Sequence, residues 1–501
     1  MPPLFLIGFM AAGKTSVGRA IAARTGRRFV DLDDEIVVAD AGSVAALVAR
    51  DEPEFRRREA ATLARVIVAA RDNPIIATGG GAAAHGDNLA RMRAAGAVVA
   101  LGVDVADAIR RAAGGGARPL LANAEELAHA RAPIYRRAHA VVDTKDRTID
   151  DVAERVLLVE AFAKDDDVVL ELADRTYPIS FVATTFKSDV TITDRNVASH
   201  YQPAGPVLAI EPGEASKSFA TYERLCNELI ALGADRTWTI RALGGGVVGD
   251  LAGFVAATLF RGIPIVQEPT TLVAMTDSAI GGKTAIDMPA GKNLVGAFHQ
   301  PRAVYCNVLA LRTLPERERR AGFGELWKYA LLDGPDLWRD VEACTRWAAG
   351  GGALPSALRT VIRTCAAYKA AIVSRDERET RGQRVLLNLG HTVGHAIESA
   401  SGLHHGEAVG LGLIAAARVS AALGVAAPEL ETEVVEALRR TGLPADLAPY
   451  LTDDVLGRVQ VDKKRAGGKL RFVVIRRVGA CETAEIDVTE IQRILRPRTT
   501  P

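Results

Sequence analysis

Two widely separated sets of residues in this 501-residue chain carry chemistry of different kinds. The first is Gly8-Phe9-Met10-Ala11-Ala12-Gly13-Lys14-Thr15, followed by Ser16. A glycine-rich turn that opens a helix points backbone N–H groups at phosphate oxygens; its lysine reaches the outer phosphates and its threonine hydroxyl binds Mg²⁺. The second set is Glu325, then His391 and His395 in Gly-His-Thr-Val-Gly-His, then His404-His405-Gly406-Glu407. Imidazole and carboxylate donors of this kind hold a catalytic divalent cation with positions left open for substrate. His391 and His395 are four apart and share a helix face, so both could be ligands, or one a ligand and the other a proton shuttle. Four of the nine histidines fall between 391 and 405, and His299 in an earlier loop joins them if the chain brings it alongside.

Regular elements must position these sets. The apolar run Leu4–Gly8 reads as a strand and Lys14–Thr25 as the helix behind the loop, the context a phosphate loop requires. Further strands at 29–31, 75–78, 98–101 and 140–143, with helical patterns between them, predict a parallel sheet with helices on both faces. A closing helix near 149–163 and the polar break Lys164-Asp165-Asp166-Asp167 set the expected limits of an α/β multidomain chain. These are a phosphate-loop kinase domain at 1–163, a linker at 164–167, an α/β nucleotide-binding domain at 168–314 and a mainly helical domain at 315–501. Strands of the second α/β part are expected near 168–172, 188–193, 207–210, 237–243, 263–268 and 303–306. Beyond Leu314, alanine- and leucine-rich helical patterns dominate, 411–423 and 429–440 among them, with a late strand at 470–475.

Bulk composition narrows the function classes. A chain of 501 residues exceeds one core, and 48% apolar with 25% charged residues is globular, neither disordered nor fibrous. A net charge of +1 argues against a nucleic-acid partner and leaves room for local basic pockets. The five cysteines form no CxxC pair, so no disulfide framework or cysteine zinc site is expected and a reduced cytoplasmic compartment fits. No stretch reaches the roughly 18 uncharged apolar residues of a membrane span. The apolar opening Met1–Met10 lacks a basic leader and reads as a buried strand, not a signal peptide.

On the acceptor side of the phosphate loop, Asp31 and Asp33 project from one face of an extended segment. One can hold Mg²⁺ through water while the other accepts the proton of an attacking hydroxyl; helix capping is the plainer use of either. Arg56, in Glu54-Phe55-Arg56-Arg57, suits a substrate carboxylate, and Gly79-Gly80-Gly81 lets a ligand approach the backbone. Arg118 and Arg131, in Arg-Pro-Leu-Leu and Arg-Ala-Pro-Ile-Tyr, add two guanidinium groups. In this order the set resembles shikimate kinase over residues 1 to about 163. The resemblance implies ATP on Gly8, Ala11, Ala12, Gly13, Lys14, Thr15, Ser16 and Arg118, with Mg²⁺ on Thr15 and Asp31. It implies shikimate on Asp33, Arg56, Gly80, Gly81 and Arg131, with Asp33 and the lid arginine Arg118 catalytic. Ala11 stands where glycine is common, and the segment between Arg118 and Arg131 is short for a lid.

Gly244-Gly245-Gly246-Val247-Val248-Gly249-Asp250 contains GxGxxG after an expected strand. A ribose-binding acid about twenty residues on would be Glu268, whose setting Glu-Pro-Thr-Thr does not suit that role. The runs Pro212–Lys217, Asp277–Thr284 and Gly291-Lys292-Asn293 mix acids suited to ribose hydroxyls with lysines suited to phosphates. With Gly-Glu-Leu-Trp-Lys, Asn-Leu-Gly-His-Thr-Val-Gly-His and His-Gly-Glu-Ala-Val they are similar, in order, to 3-dehydroquinate synthase across about 168–495. The resemblance implies Zn²⁺ (or Co²⁺) on Glu325, His391 and His405, with proton transfer by His395. NAD⁺ falls on Asp194, Glu214, Lys217, Gly246, Asp250, Thr270, Thr271, Asp277, Lys292 and Thr313. The heptulosonate phosphate falls on Arg261, Lys283, Asn293, Lys328, Lys369, Arg384, His395 and Lys463, with Lys283, Lys328 and His395 catalytic. The stretch 376–382 is one residue longer than usual ahead of Arg384.

Together the two resemblances imply a bifunctional enzyme acting on small molecules. One activity phosphorylates shikimate with ATP; the other converts 3-deoxy-D-arabino-heptulosonate 7-phosphate to 3-dehydroquinate and phosphate, and a homodimer through the second part is implied. A second reading is a kinase fused to a metal-dependent NAD-linked polyol dehydrogenase, which leaves Arg261, Lys283 and Asn293 without a task. A nucleotide-sensing module is a third, and the acceptor pair Asp33 and Arg131 argues against it.

Overall fold

The computed structural model describes residues 2–40, 44–112, 124–164, 166–173, 175–182, 186–459 and 469–496. Strands β1 (Leu4–Gly8), β2 (Phe29–Asp31), β3 (Ile75–Ala77), β4 (Ala97–Gly102) and β5 (Ala140–Asp143) form a parallel sheet ordered β2-β3-β1-β4-β5. Strand β1 is apolar throughout because it is covered on both faces. Phe5 and Ile7 enter one core and Leu4 and Leu6 the other, as the two-residue period of a strand dictates. The centre of the sheet thus delivers the phosphate loop at its carboxyl edge.

Backbone geometry in that loop is demanding. Gly8 has φ +139°, and a Cβ there would lie 2.5 Å from the Leu101 carbonyl oxygen. Ala11, where glycine is common, holds φ +57°, a left-handed conformation that costs an L-residue about 1–2 kcal/mol. The departure in sequence is therefore tolerated as local strain.

The chain divides into two compact units, residues 1–180 with 373–375, and residues 181–372 with 376–501. The antiparallel hairpin β6 (Val168–Glu171) and β7 (Thr176–Ser180) belongs to the first unit. In the second, β8 (Val190–Asp194), β9 (Val207–Ile210), β10 (Ile240–Gly244) and β11 (Ile265–Pro269) are parallel, in the order β11-β10-β8-β9. Strands β12 (Lys283–Met288) and β13 (Gly291–Phe298) form a separate antiparallel hairpin, and β14 (Val304–Tyr305) pairs parallel with β11. The remainder is mainly helical and ends in the hairpin β15 (Lys469–Arg477) and β16 (Ala480–Asp487). Among the described residues no helix is long and apolar enough to cross a membrane.

Sequence pattern missed β7, the β12–β13 hairpin and β16. Strand β7 alternates but is short and contains Pro178, which weakens a strand signal, and β13 is largely exposed with two glycines, so it lacks the alternation of a half-buried strand.

Candidate active sites

In the first unit a cleft of about 810 Å³ is lined by the phosphate loop, Asp31, Asp33, Gly79, Gly80 and one wall of the helix Ile149–Phe162. Lys14 Nζ donates to the carbonyl oxygens of Gly8 and Phe9, both at 2.9 Å, so the lysine arches over the loop that lines the cleft. Thr15 Oγ1 donates to Asp31 Oδ2 at 2.8 Å, joining the two residues expected to hold Mg²⁺. The Asp33 backbone N–H donates to Asp31 Oδ1 at 3.2 Å, so Asp31 also serves the capping role foreseen for one of the pair.

The Gly79-Gly80-Gly81 turn gathers the acceptor residues because it has no side chains. A Cβ at 79 would lie 3.0 Å from Asp33 Oδ1, at 80 it would lie 3.8 Å from Arg131 Nη1, and at 81 it would lie 2.6 Å from the Arg56 guanidinium. Arg56 is held by Glu59 at 2.8 Å and Glu52 at 3.1 Å, and Tyr135 donates to the Gly80 carbonyl at 2.6 Å. Glu59 is fully buried and was not singled out in the sequence. Its signal was the i,i+3 pairing with Arg56 on the helix Glu52–Val68. Arg118 lies outside the described residues.

Burial, then the charge of Asp31, pushes the Asp33 carboxyl up to about 6. A base works only when ionised, so kcat/KM for shikimate should fall about tenfold per pH unit below that value. A flat profile between pH 5 and 7 would remove Asp33 from the role of base.

In the second unit a larger cleft of about 1160 Å³ runs from the amino end of the helix Gly246–Thr258 to the histidine cluster. Lys217, almost fully buried, donates to Asp250 at 3.0 Å and to Asn293, and pairs with Glu214 at 3.3 Å. Asp194 caps a short helix through the Val197 N–H at 2.9 Å; with Gly246, Thr270, Thr271 and Thr313 it lines the same cleft. Glu268 pairs with Arg241 at 2.5 Å and does not line it, in keeping with its rejection as a ribose acid.

Three helices deliver the second set. Glu325, Lys328 and Tyr329 come from Glu316–Asp333, His391 and His395 from His391–Ser401, and His405 begins His405–Ala422. The first and third cross closely through glycines. A Cβ on Gly406 would lie 1.7 Å from the Ala321 carbonyl oxygen, and one on Gly324 2.0 Å from that of Gly406. That approach brings Glu325 Oε1 to 3.0 Å from His405 Nε2, and the helix His391–Ser401 adds His391 Nε2 at 3.4 Å. One donor atom from each of the three lies within 4.8 Å of the others. The outer nitrogens are engaged elsewhere, His391 Nδ1 at 3.1 Å from the Leu389 carbonyl and His405 Nδ1 at 3.0 Å from Glu398. Outward Nδ1 partners that turn Nε2 inward are the arrangement of metal-binding histidines, so the donor set fits a divalent cation.

His395 faces the cleft with its ring 5.1 Å from that of His391. Desolvation, then the neighbouring His391 and His405, pushes it down to about 4, although the ring is exposed to the cleft. His404 instead pairs with Glu318 at 3.2 Å, and His299 is engaged by the Ile263 carbonyl at 2.9 Å and does not line the cleft.

Asp277 ties the cation cluster together. It lies 3.1 Å from Lys369 and 3.7 Å from Lys328, and accepts from the Tyr329 hydroxyl at 2.8 Å. Burial pushes Lys369 down to about 8 even with Asp277 beside it. Arg384 and Lys283 meet at Glu379, at 3.4 and 2.5 Å. The long segment before Arg384 is gathered by Asp376, which accepts the N–H groups of Arg381 and Gln383, both at 2.9 Å. Lys292 donates to Glu398 at 2.6 Å. Glu379, Glu398 and Tyr329 were not foreseen, since a carboxylate or phenol in a helix or loop carries no motif until its cation is placed. Arg261 does not line the cleft, and Lys463 lies outside the described residues.

Comparison with known proteins decides the family. Residues 10–160 match the shikimate kinase model, 207–321 the N-terminal and 322–465 the C-terminal models of 3-dehydroquinate synthase. The 3-dehydroquinate synthase of Xanthomonas campestris pv. campestris (strain 8004) is 47% identical over 299 residues, 58% of this chain and 80% of that one. The chain belongs to the 3-dehydroquinate synthase family. The synthase of Opitutus terrae (strain DSM 11246 / JCM 15787 / PB90-1) is 44% identical over 347 residues, 64% of this chain and 94% of that protein. A crystal structure of 2-deoxy-scyllo-inosose synthase, complexed with carbaglucose-6-phosphate, NAD⁺ and Co²⁺, is similar with TM-score 0.58 and 28% identity, over 66% of this chain and 99% of that one. The 2-epi-5-epi-valiolone synthase from Streptomyces hygroscopicus subsp. jinggangensis 5008, with NAD⁺ and Zn²⁺ bound, is similar with TM-score 0.57 and 25% identity, over 61% and 89%. One polypeptide therefore carries a shikimate kinase and a 3-dehydroquinate synthase, a phosphotransferase and a lyase of the same route.

Proposed function

We propose that residues 1–163 bind ATP with Mg²⁺ and shikimate, that the NAD⁺ site lies within 168–314 on the strands from β8 onward, and that 315–501 supply the site for Zn²⁺ or Co²⁺, with 164–167 and the hairpin β6–β7 of the first unit leading from one part to the next. The observation that carries this reading is the meeting of Glu325, His391 and His405 donors within 4.8 Å, where the two histidines line the cleft that Lys217 and Asp250 also line. In the kinase, Lys14 and the loop N–H groups hold the phosphates, Arg56 and Arg131 the shikimate carboxylate, and Asp33 accepts the proton of its hydroxyl. In the synthase, bound NAD⁺ supplies a reversible hydride acceptor and a bound cation polarises a substrate oxygen. Lys283, Asn293 and Arg384 hold the anionic ends of the substrate, Lys328 and Lys369 add charge around Asp277, and His395 moves a proton. We assign the chain to a reduced cytoplasm, as a homodimer through its synthase part; its five scattered cysteines, with no CxxC pair, support the first assignment.

Phosphate release from the heptulosonate phosphate with substoichiometric NAD⁺, and no accumulation of NADH, tests the synthase reading. Net NADH from a polyol would favour the dehydrogenase instead. His395→Ala is expected to slow phosphate release by about 10²–10³-fold while metal content stays at the wild-type level. Loss of the metal in that variant would make His395 a ligand.

A further inference from the structure

Glu171 stands on β6, beyond the residues 10–160 that match shikimate kinase. It is 2% exposed, and both of its oxygens face guanidinium groups. Arg155 Nη1 donates to Oε1, and Arg147 Nη1 lies 3.9 Å from Oε2. The strand that carries it is built into the first unit. The Val169 N–H donates to the His139 carbonyl at 2.7 Å, and the Val169 side chain is buried in the same core cluster as Val156 and Val159. The carboxylate is thus placed by the fold rather than by a mobile tail.

Arg147 is flanked a second time by Asp151, 3.8 Å from its Nε, while Asp151 also accepts from Arg155 at 3.0 Å. Two carboxylates therefore fix one guanidinium, and Arg147 lines the cleft of the phosphate loop. Its Nη1 is buried and makes no hydrogen bond. A buried donor without an acceptor is costly, and the Glu171 carboxylate 3.9 Å away is the charge that offsets it. The phosphate loop defines one end of that cleft, and Asp33 with Gly80 the acceptor side. Arg111, Thr144, Arg147 and Thr148 line the rest of the cleft, the part that the ATP reading leaves for the nucleoside.

We propose that Glu171 is a positioning residue of the kinase, holding Arg147 against the nucleoside end of the ATP cleft from a strand outside the kinase match. This rests on the reading of that cleft as the ATP site. The segment between the two enzymes is then part of the first active site as well as a connection.

ATP titrations of the full chain at saturating shikimate test this. Glu171→Gln should raise KM for ATP about five- to tenfold, with kcat within about twofold of wild type, because a misplaced binding group weakens the complex before it slows the chemistry. KM for shikimate and phosphate release by the synthase should not change. Arg147→Ala should raise KM for ATP by a similar factor, and the double variant no further, since both changes remove one interaction. An unmoved KM in Glu171→Gln, or effects that multiply in the double variant, overturns the proposal. If Glu171→Gln does not fold, Glu171→Asp, which withdraws the carboxylate by one methylene, is measured in its place: a raised KM for ATP supports the proposal and an unmoved one overturns it. A wild-type chain that forms no ADP from ATP and shikimate overturns the reading of the cleft and the proposal together.

Discussion

Glu325→Gln is expected to empty the metal site and to lower phosphate release from the heptulosonate phosphate by more than about 10³-fold, because the carboxylate is the only anionic donor of the set. The change also reaches stability. Glu325 and Lys328 are both fully buried and lie 2.5 Å apart, and without Glu325 the nearest carboxylate to the ammonium is Asp277 at 3.7 Å. Breaking such a pair by removing one partner costs about 3–5 kcal/mol, so the synthase part should melt several degrees lower. Metal content by elemental analysis, phosphate release and thermal unfolding separate the two effects. Shikimate phosphorylation should be retained. Full metal occupancy in the variant would remove Glu325 from the ligand set.

Lys14→Ala is the complementary experiment. The ammonium that arches over Gly8 and Phe9 is the one cation of the phosphate loop, and no other residue of Gly8–Ser16 can replace its charge on the transferring phosphoryl group. Shikimate-dependent formation of ADP should fall by about 10³-fold or more, as expected where catalysis is mostly electrostatic. Phosphate release by the synthase, measured in the same preparation, should match wild type. Loss of both activities in this variant would show that the two enzymes depend on each other's integrity.

Much of this molecule was legible because its signals are local. A phosphate loop is contiguous, so strand, glycine turn and helix are all written between Leu4 and Thr25, and the parallel order follows from buried apolar strands spaced by helices. The same holds for His391 and His395, whose four-residue spacing puts them on one face before any tertiary contact forms. The hairpin β12–β13 was hidden because β13 is largely exposed and carries Gly291 and Gly296, so it presents no alternating apolar face.

From sequence alone came the two chemistries, their order along the chain and the identities of the residues that carry them. Only the tertiary structure decided which of those residues meet, and which unforeseen ones support them. Glu325 and His405 are eighty positions apart and come together because Gly324 and Gly406 let two helix backbones touch, a fact that depends on packing distance and not on spacing. Glu59, Glu398 and Glu171 emerged the same way. A buried carboxylate shows its purpose only when the cation it neutralises is in place, and that cation comes from a helix turn for Glu59 and from more distant elements for the other two.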